Sequence, residues 1–164
     1  DSFCSMALAK RSVKRGFSFG LTSGIITTLG LVVGLSAGTH SKKVVLGGIL
    51  IIAVADALSD AFGMHMSEEA QKISEKEVWT STLATMLFKF VFAITFIVPV
   101  LLLELSAAVI ASVIWGLLLI SVFSCYIARQ RKIRMHRVVL EHLLIAILVI
   151  IVTHLLGSWV STFG

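Results

Sequence analysis

Charge is what this sequence is shortest of. Asp, Glu, Lys and Arg make up 14% of its 164 residues, where a soluble domain carries about 25%. Proline is reduced to one residue, Pro99, so long helices can run with almost no interruption. Cysteine is reduced to Cys4 and Cys125, with no CxxC pair, which excludes a disulfide framework and a thiolate metal site. There is no HExxH, no glycine-rich phosphate loop and no haem-attachment motif. Thr22-Ser23-Gly24 with His154 lacks the local context of a Ser–His nucleophile. The chain is therefore not expected to be an enzyme, and no cofactor is expected.

What the sequence has is apolar length. Hydrophobic residues are 57% of the chain and the mean hydropathy is +1.01. A membrane helix needs about 20 mostly apolar residues. Five runs qualify: Phe17–Gly38, Val44–Met64, Thr80–Leu103, Leu105–Ala128 and Val138–Val160. The expected fold class is all-α, a polytopic membrane protein with five transmembrane helices. A basic amphipathic segment (1–16) precedes the membrane domain (17–160), and a short tail (161–164) follows. The N-terminal segment lacks the layout of a cleaved signal peptide, whose basic stretch precedes its apolar core. One five-helix chain has little interior of its own, so self-association into a homodimer is expected.

The formal net charge is +5. Because the basic residues flank apolar runs, the partners they imply are anionic lipid headgroups and not nucleic acid. With the N-terminus cytoplasmic, the inside holds Lys10, Arg11, Lys14, Arg15, Lys72, Lys76, Arg129, Arg131, Lys132, Arg134 and Arg137, and the outside only Lys42 and Lys43. That bias places the N-terminus inside and the C-terminus outside. The run RQRKIRMHR is then a topogenic, lipid-facing cluster. Trp79 and Trp159 fit interfacial belts.

Helix 1 carries glycines four apart, Gly20 with Gly24 and then Gly30, Gly34 and Gly38. Such a stripe lets another backbone approach closely. It suits ordinary helix packing and a pore-lining or dimer contact equally well.

Helix 2 reads VADALSDAFGMHMSEE. Asp56, Asp60, Met64 and Glu68 recur every four residues, a slowly drifting stripe on one face about 18 Å long. A carboxylate near the bilayer centre costs at least about 2.5–3.5 kcal/mol, so it must meet a cation, a proton, water or a polar partner. A thioether beside carboxylate oxygens suits a transition metal more than Mg²⁺ or Ca²⁺. The plainer account is a proton relay or a polar seam with no metal. Lys89 lies about 15 Å into helix 3, level with Asp56. It is expected to pair with Asp56 or Asp60 when the site is empty and to be displaced by an entering cation. A snorkelling lysine is the bland alternative. The linker residues Glu68, Glu69, Glu75 and Glu77, behind His65 and Met66, either draw cations to a pore mouth or form a solvated turn. His154 is expected to be a packed, hydrogen-bonded histidine, with a proton-coupling role as the alternative.

The stretch RGFSFGLTSGIITTLGLVVGLSAGT resembles the first helix of the vacuolar iron transporter family, whose pattern is a basic residue, then G-x-x-D-G-L, then a run ending in A-L-x-x-G. VADALSDAFGMHMSEE resembles the family's second helix, which runs to S-M-x-x-G-[DE]-Y. LLIAILVIIVTHLLG is similar to its closing helix, and Pro99 sits where the third helix of the family often has a proline. The resemblance covers Arg15 to about Gly157.

It implies a five-helix homodimer with its pore at the interface between the two first helices, exporting Fe²⁺ or Mn²⁺ from the cytosol in exchange for protons. The transported metal is substrate, and the chain itself and membrane lipids are partners. Met64 matches the family's pore methionine, Asp56 an acidic pore residue eight positions before it, and Glu68 the acidic position four after it. The family's helix 1 aspartate falls at Ser23, which supplies no charge, and Asp60 can replace it from the neighbouring helix. Ser23, Thr27, Thr28 and Lys89 are the pore-lining or coupling candidates beside the metal candidates Asp56, Asp60, Met64 and Glu68. The thirteen-residue linker after helix 2 is too short for the family's cytosolic metal-binding region and looks like prokaryotic relatives, so a prokaryotic cell membrane is expected. Two other outcomes stay open: a proton-coupled carrier for another solute, and a membrane subunit that does not transport.

Overall fold

The computed structural model describes the backbone of residues 2–163 and the side chains of residues 10–163. Asp1, Gly164 and the side chains of 2–9, Cys4 among them, lie outside the described residues. The described chain is helical without a strand: α1 (Ser2–Thr39), α2 (Lys42–Ala70), α3 (Glu75–Thr95), α4 (Ile97–Leu102), α5 (Leu105–Arg131) and α6 (Met135–Val160), then a 3₁₀ turn at Ser161–Phe163. Among the described residues five spans are long and apolar enough to cross a membrane, with α3 and α4 together forming the third.

Two boundaries have a local cause. The basic N-terminal segment is continuous with the first span, because α1 runs from Ser2 to Thr39 without a break. No proline or glycine pair falls at residues 15–17 to separate them. The third span is broken at Phe96. Pro99 has no N–H to offer the carbonyl of Thr95, four residues before it, and its ring crowds that carbonyl. α3 accordingly stops at Thr95 and α4 starts at Ile97.

The turns are set by residues with left-handed backbone. His40, Lys72 and Lys132 have φ of 51°, 55° and 53° and follow the ends of α1, α2 and α5. Each lets the chain leave a helix while its N–H still bonds back, as Lys132 N–H does to the carbonyls of Ala128 and Arg129. Ser41 starts α2, its hydroxyl accepting from Val44 N–H at 3.4 Å. Lys42 reaches from that same end to the carbonyls of Leu101 (3.1 Å) and Leu103 (2.9 Å), which α4 leaves without helical partners.

The chain packs as two compact units, residues 1–24 with 50–95 and residues 25–49 with 96–164. In the first unit, Gly16, Gly20 and Gly24 of α1 lie against Ser81, Thr85 and Lys89 of α3. On α2, Ala53, Ala57 and Ala61 form the buried row. In the second unit, Gly30, Gly34 and Gly38 lie against Val149, Thr153 and Gly157 of α6. The two glycine stripes of helix 1 are thus used in packing within the chain. Large apolar side chains such as Ile51, Phe62, Ile110, Val122, Leu148 and Leu155 are exposed along the spans. Water does not tolerate such a surface over several helices, and lipid requires it.

Candidate cation site

The first unit holds Asp56, Asp60 and Lys89, three charged residues that lie within the spans. Asp56 and Asp60 flank the buried alanine row of α2, one helical turn apart. Alanines at 53, 57 and 61 keep α2 close to its neighbours, so short aspartate side chains reach inward. Gly20 and Gly24 do the same for α1 and α3. A Cβ at Gly24 would stand 2.9 Å from the carbonyl oxygen of Lys89 and 3.3 Å from its Cγ.

Small residues on α1 and α2 therefore bring Lys89 of α3 onto both carboxylates. Its Nζ lies 2.6 Å from Asp56 Oδ2, contacts Asp60 Oδ2 and donates to Ser23 Oγ at 2.8 Å. Ser23 Oγ in turn donates to Asp60 Oδ2 at 2.7 Å. The Asp56 contact is a charge contact, off the direction of an aligned hydrogen bond. Lys89 has a side-chain exposure of 2%, against 25% for Asp56 and 23% for Asp60. The ammonium is therefore the buried member of the cluster and the carboxylates form its accessible side. Two carboxylates one turn apart repel unless a cation lies between them. Lys89 is that cation here, and the cluster keeps one net negative charge. Phe17, edge-on to Phe88 at 4.8 Å and to Phe92 at 6.3 Å, packs an apolar layer beside the same turns of α3.

Glu68 is in a different cluster. Its Oε1 accepts from Arg15 Nε at 2.8 Å, Ser81 donates to its Oε2, and Arg15 Nη2 donates to Ser12 Oγ at 3.1 Å. Glu68 is buried, at 4% side-chain exposure, while Arg15 is 38% exposed. This pair was not foreseen from the sequence, where Arg15 counts only towards orientation. The signal was there: Arg15 begins the span of α1 where Glu68 closes that of α2. Met64 is half-buried between the two clusters on α2.

His65 lies at the same end of the unit. Thr82 Oγ1 donates to the carbonyl of Val78 at 2.7 Å, so its contact with His65 Nδ1 at 3.2 Å is accepted from the ring. The other ring nitrogen lies 4.0 Å from Glu69 Oε1, and the ring meets Trp79 edge-on at 4.7 Å.

Thr27 and Thr28 belong to the second compact unit. Thr27 lines a cavity of about 620 Å³ there, with Gly30, Gly34 and Thr153. Thr28 is buried and its hydroxyl lacks a hydrogen-bond partner. His154 is exposed on α6 and not packed as expected. The residues that α6 buries are Val138, Ala146 and Gly157. The histidine of α6 that is engaged is His142, whose Nδ1 lies 2.6 Å from Ser124 Oγ.

Among the described residues, no three His, Cys, Asp or Glu side chains converge as a metal-binding group. Asp56, Asp60 and Ser23 come together around Lys89, Glu68 stands apart on Arg15, and Met64 lies between.

These features define a polytopic helical membrane protein with an ion-pair cluster inside its spans. Residues 15–78 match the model of the VIT family. That match, to the vacuolar iron transporter family, covers most of the first span, the second span and the linker behind it, with Ser23, Asp56, Asp60, Met64 and Glu68. The family implies transport of metal ions, iron or manganese, across a membrane, and its members are transporters and not enzymes. No curated protein and no solved structure matches the chain.

Proposed function

We propose that this chain carries a divalent transition metal, Fe²⁺ or Mn²⁺, out of the cytosol, exchanging it for protons. The observation that carries this is the pair Asp56 and Asp60, two carboxylates on one face of a membrane span whose oxygens meet at a single cation position. Hard carboxylate oxygens with the Met64 thioether one turn beyond Asp60 suit a transition metal. A carboxylate holds either a metal ion or a proton, so the same two groups serve both directions of an exchange. The path begins at the polar end of α2, passes Glu68 and Met64, and reaches Asp60 and Asp56. Two acidic groups with Ser23 do not fill the coordination shell of such an ion. The remaining ligands are water or groups from a second copy, which fits a homodimer that transports at its interface. The N-terminus is cytoplasmic and the C-terminus outside, following the bias of Lys and Arg.

A second reading, a proton-coupled carrier of another solute, draws on Ser23 and Lys89. An uncharged residue replaces the family aspartate, and an ammonium already neutralises half of the acidic pair.

The test is metal flux into liposomes that hold the purified protein and an internal metal-sensitive dye, under a pH gradient. Fe²⁺, Mn²⁺, Co²⁺, Zn²⁺ and Ca²⁺ are compared, with the Asp56→Asn/Asp60→Asn variant as control. Flux of Fe²⁺ or Mn²⁺ that the variant loses supports the proposal. Folded protein that moves none of these metals with either gradient direction would sink it.

A further inference from the structure

Lys89 lies beyond residues 15–78, the segment matched to the family, and its geometry is that of a bound ion. Ser23 Oγ, Asp56 Oδ2 and Asp60 Oδ2 converge on Nζ. The amine therefore occupies the point a transported cation would take. Its place is fixed by packing. The backbone of Lys89 lies where a Cβ at Gly20 or Gly24 would touch it, and its stem runs past Gly24.

We propose that Lys89 is a valence filter: a tethered monovalent cation that a divalent metal ion displaces and a free monovalent ion does not. This rests on the reading that Asp56 and Asp60 take the transported metal. Exchanging an ammonium for Na⁺ or K⁺ swaps one unit charge for another between the same oxygens, so it gains no Coulomb energy. It also loses the advantage of a group already held in place, whose effective concentration exceeds that of any free ion. A divalent ion doubles the attraction to each carboxylate. The flexible four-carbon stem lets Nζ withdraw while the α3 backbone stays on its glycines. Carboxylates without the lysine would carry two net negative charges and admit whichever cation is abundant.

The experiment measures Mn²⁺ binding to the purified full-length chain by electron paramagnetic resonance. Buffers contain Na⁺, K⁺ or, at equal ionic strength, the bulky cation N-methylglucamine. Binding to the unaltered chain is expected to be the same in all three. Lys89→Gln is expected to bind Mn²⁺ about tenfold more tightly in N-methylglucamine and to lose roughly that gain in Na⁺ or K⁺. Lys89→Arg restores indifference. Because Lys89→Gln leaves two carboxylates unneutralised, the Asp56→Asn/Lys89→Gln double variant keeps the measurement available if the single one does not fold. It has the net charge of the original cluster but no tethered cation, and is expected to be sensitive to Na⁺.

If both variants are as indifferent to Na⁺ as the original chain, the filter is refuted while the metal site stands. Sensitivity of Lys89→Gln with indifference of the double variant assigns the effect to net charge and likewise refutes a role for occupancy. Absence of Mn²⁺ binding in every form overturns the metal reading together with the filter.

Discussion

Adding one methyl group at Gly16, Gly20 or Gly24 tests how the cluster is held. A Cβ at Gly16 would lie 2.5 Å from the carbonyl oxygen of Ser81, 2.6 Å from Ala84 Cβ and 2.8 Å from Thr85 N. At Gly20 it would lie 2.6 Å from the carbonyl oxygen of Thr85 and 3.0 Å from Lys89 N. At Gly24 the nearest atom, the carbonyl oxygen of Lys89, is at 2.9 Å. Favourable contact begins at about 3.5 Å, so the shortfall is roughly an ångström at Gly16 and little more than half that at Gly24. Nearly all these neighbours are backbone or Cβ atoms, which cannot swing aside. α1 and α3 must therefore separate, and overpacking of this kind costs about 1–3 kcal/mol. Alanine's better helix propensity returns up to about 1 kcal/mol of that. The expected order of lost thermal stability is Gly16→Ala, then Gly20→Ala, then Gly24→Ala. Gly47→Ala, where a Cβ meets nothing within 4 Å, serves as the neutral control. Gly24→Ala is expected to lose more metal flux than its stability loss accounts for, because it displaces Lys89 itself. The assay is thermal unfolding of detergent-solubilised protein by circular dichroism, with flux measured on the same preparations. Gly16→Ala and Gly24→Ala as stable as Gly47→Ala would refute the reasoning.

Other outcomes follow from the same geometry. Asp60→Asn is expected to destabilise the chain more than Asp56→Asn, by about 1 kcal/mol, since Asp60 Oδ2 receives both Lys89 and Ser23 whereas Asp56 makes a charge contact only; equal unfolding midpoints would contradict this. Glu68→Gln and Arg15→Gln are each expected to cost about 1–2 kcal/mol, and a double-mutant cycle to return a coupling near 1 kcal/mol, small because Arg15 is 38% exposed. Gly157→Ala is expected to cost about 1–3 kcal/mol in unfolding experiments, as its Cβ would run into the backbone of Gly34, while Gly63→Ala, with open space around it, changes little. Ser124→Ala and His142→Ala are each expected to lose about 1 kcal/mol, the worth of the bond that joins α5 to α6.

The residues legible in advance were those whose chemistry is out of place. Asp56, Asp60 and Lys89 stand out because a charge in a membrane span must be answered by something, and equal depth made each the natural answer to the other. Glu68 was harder to place. On α2 alone it continues the stripe of Asp56, Asp60 and Met64, and only the position of α1 reveals that Arg15 engages it. His154 shows the opposite limit. Its position in an apolar run suggests burial, but the span of α6 is only 11% buried, and its period does not say which side is covered.

Hydropathy and charge bias determined by themselves that this is a helical protein with five spans, because lipid leaves the backbone no partner but its own helix and each span must be long enough to cross. They also marked which carboxylates and which lysine required an explanation. The partners of those charges were decided by tertiary packing. Gly16, Gly20 and Gly24 could have served any close neighbour, and the structure puts α3 there, which carries Lys89 onto Asp56, Asp60 and Ser23. The physical reason is range. A helix's existence depends on residues a few positions apart, whereas the hydrogen bonds of Lys89 join residues 29 or 66 positions apart and exist only once small side chains have let their helices approach.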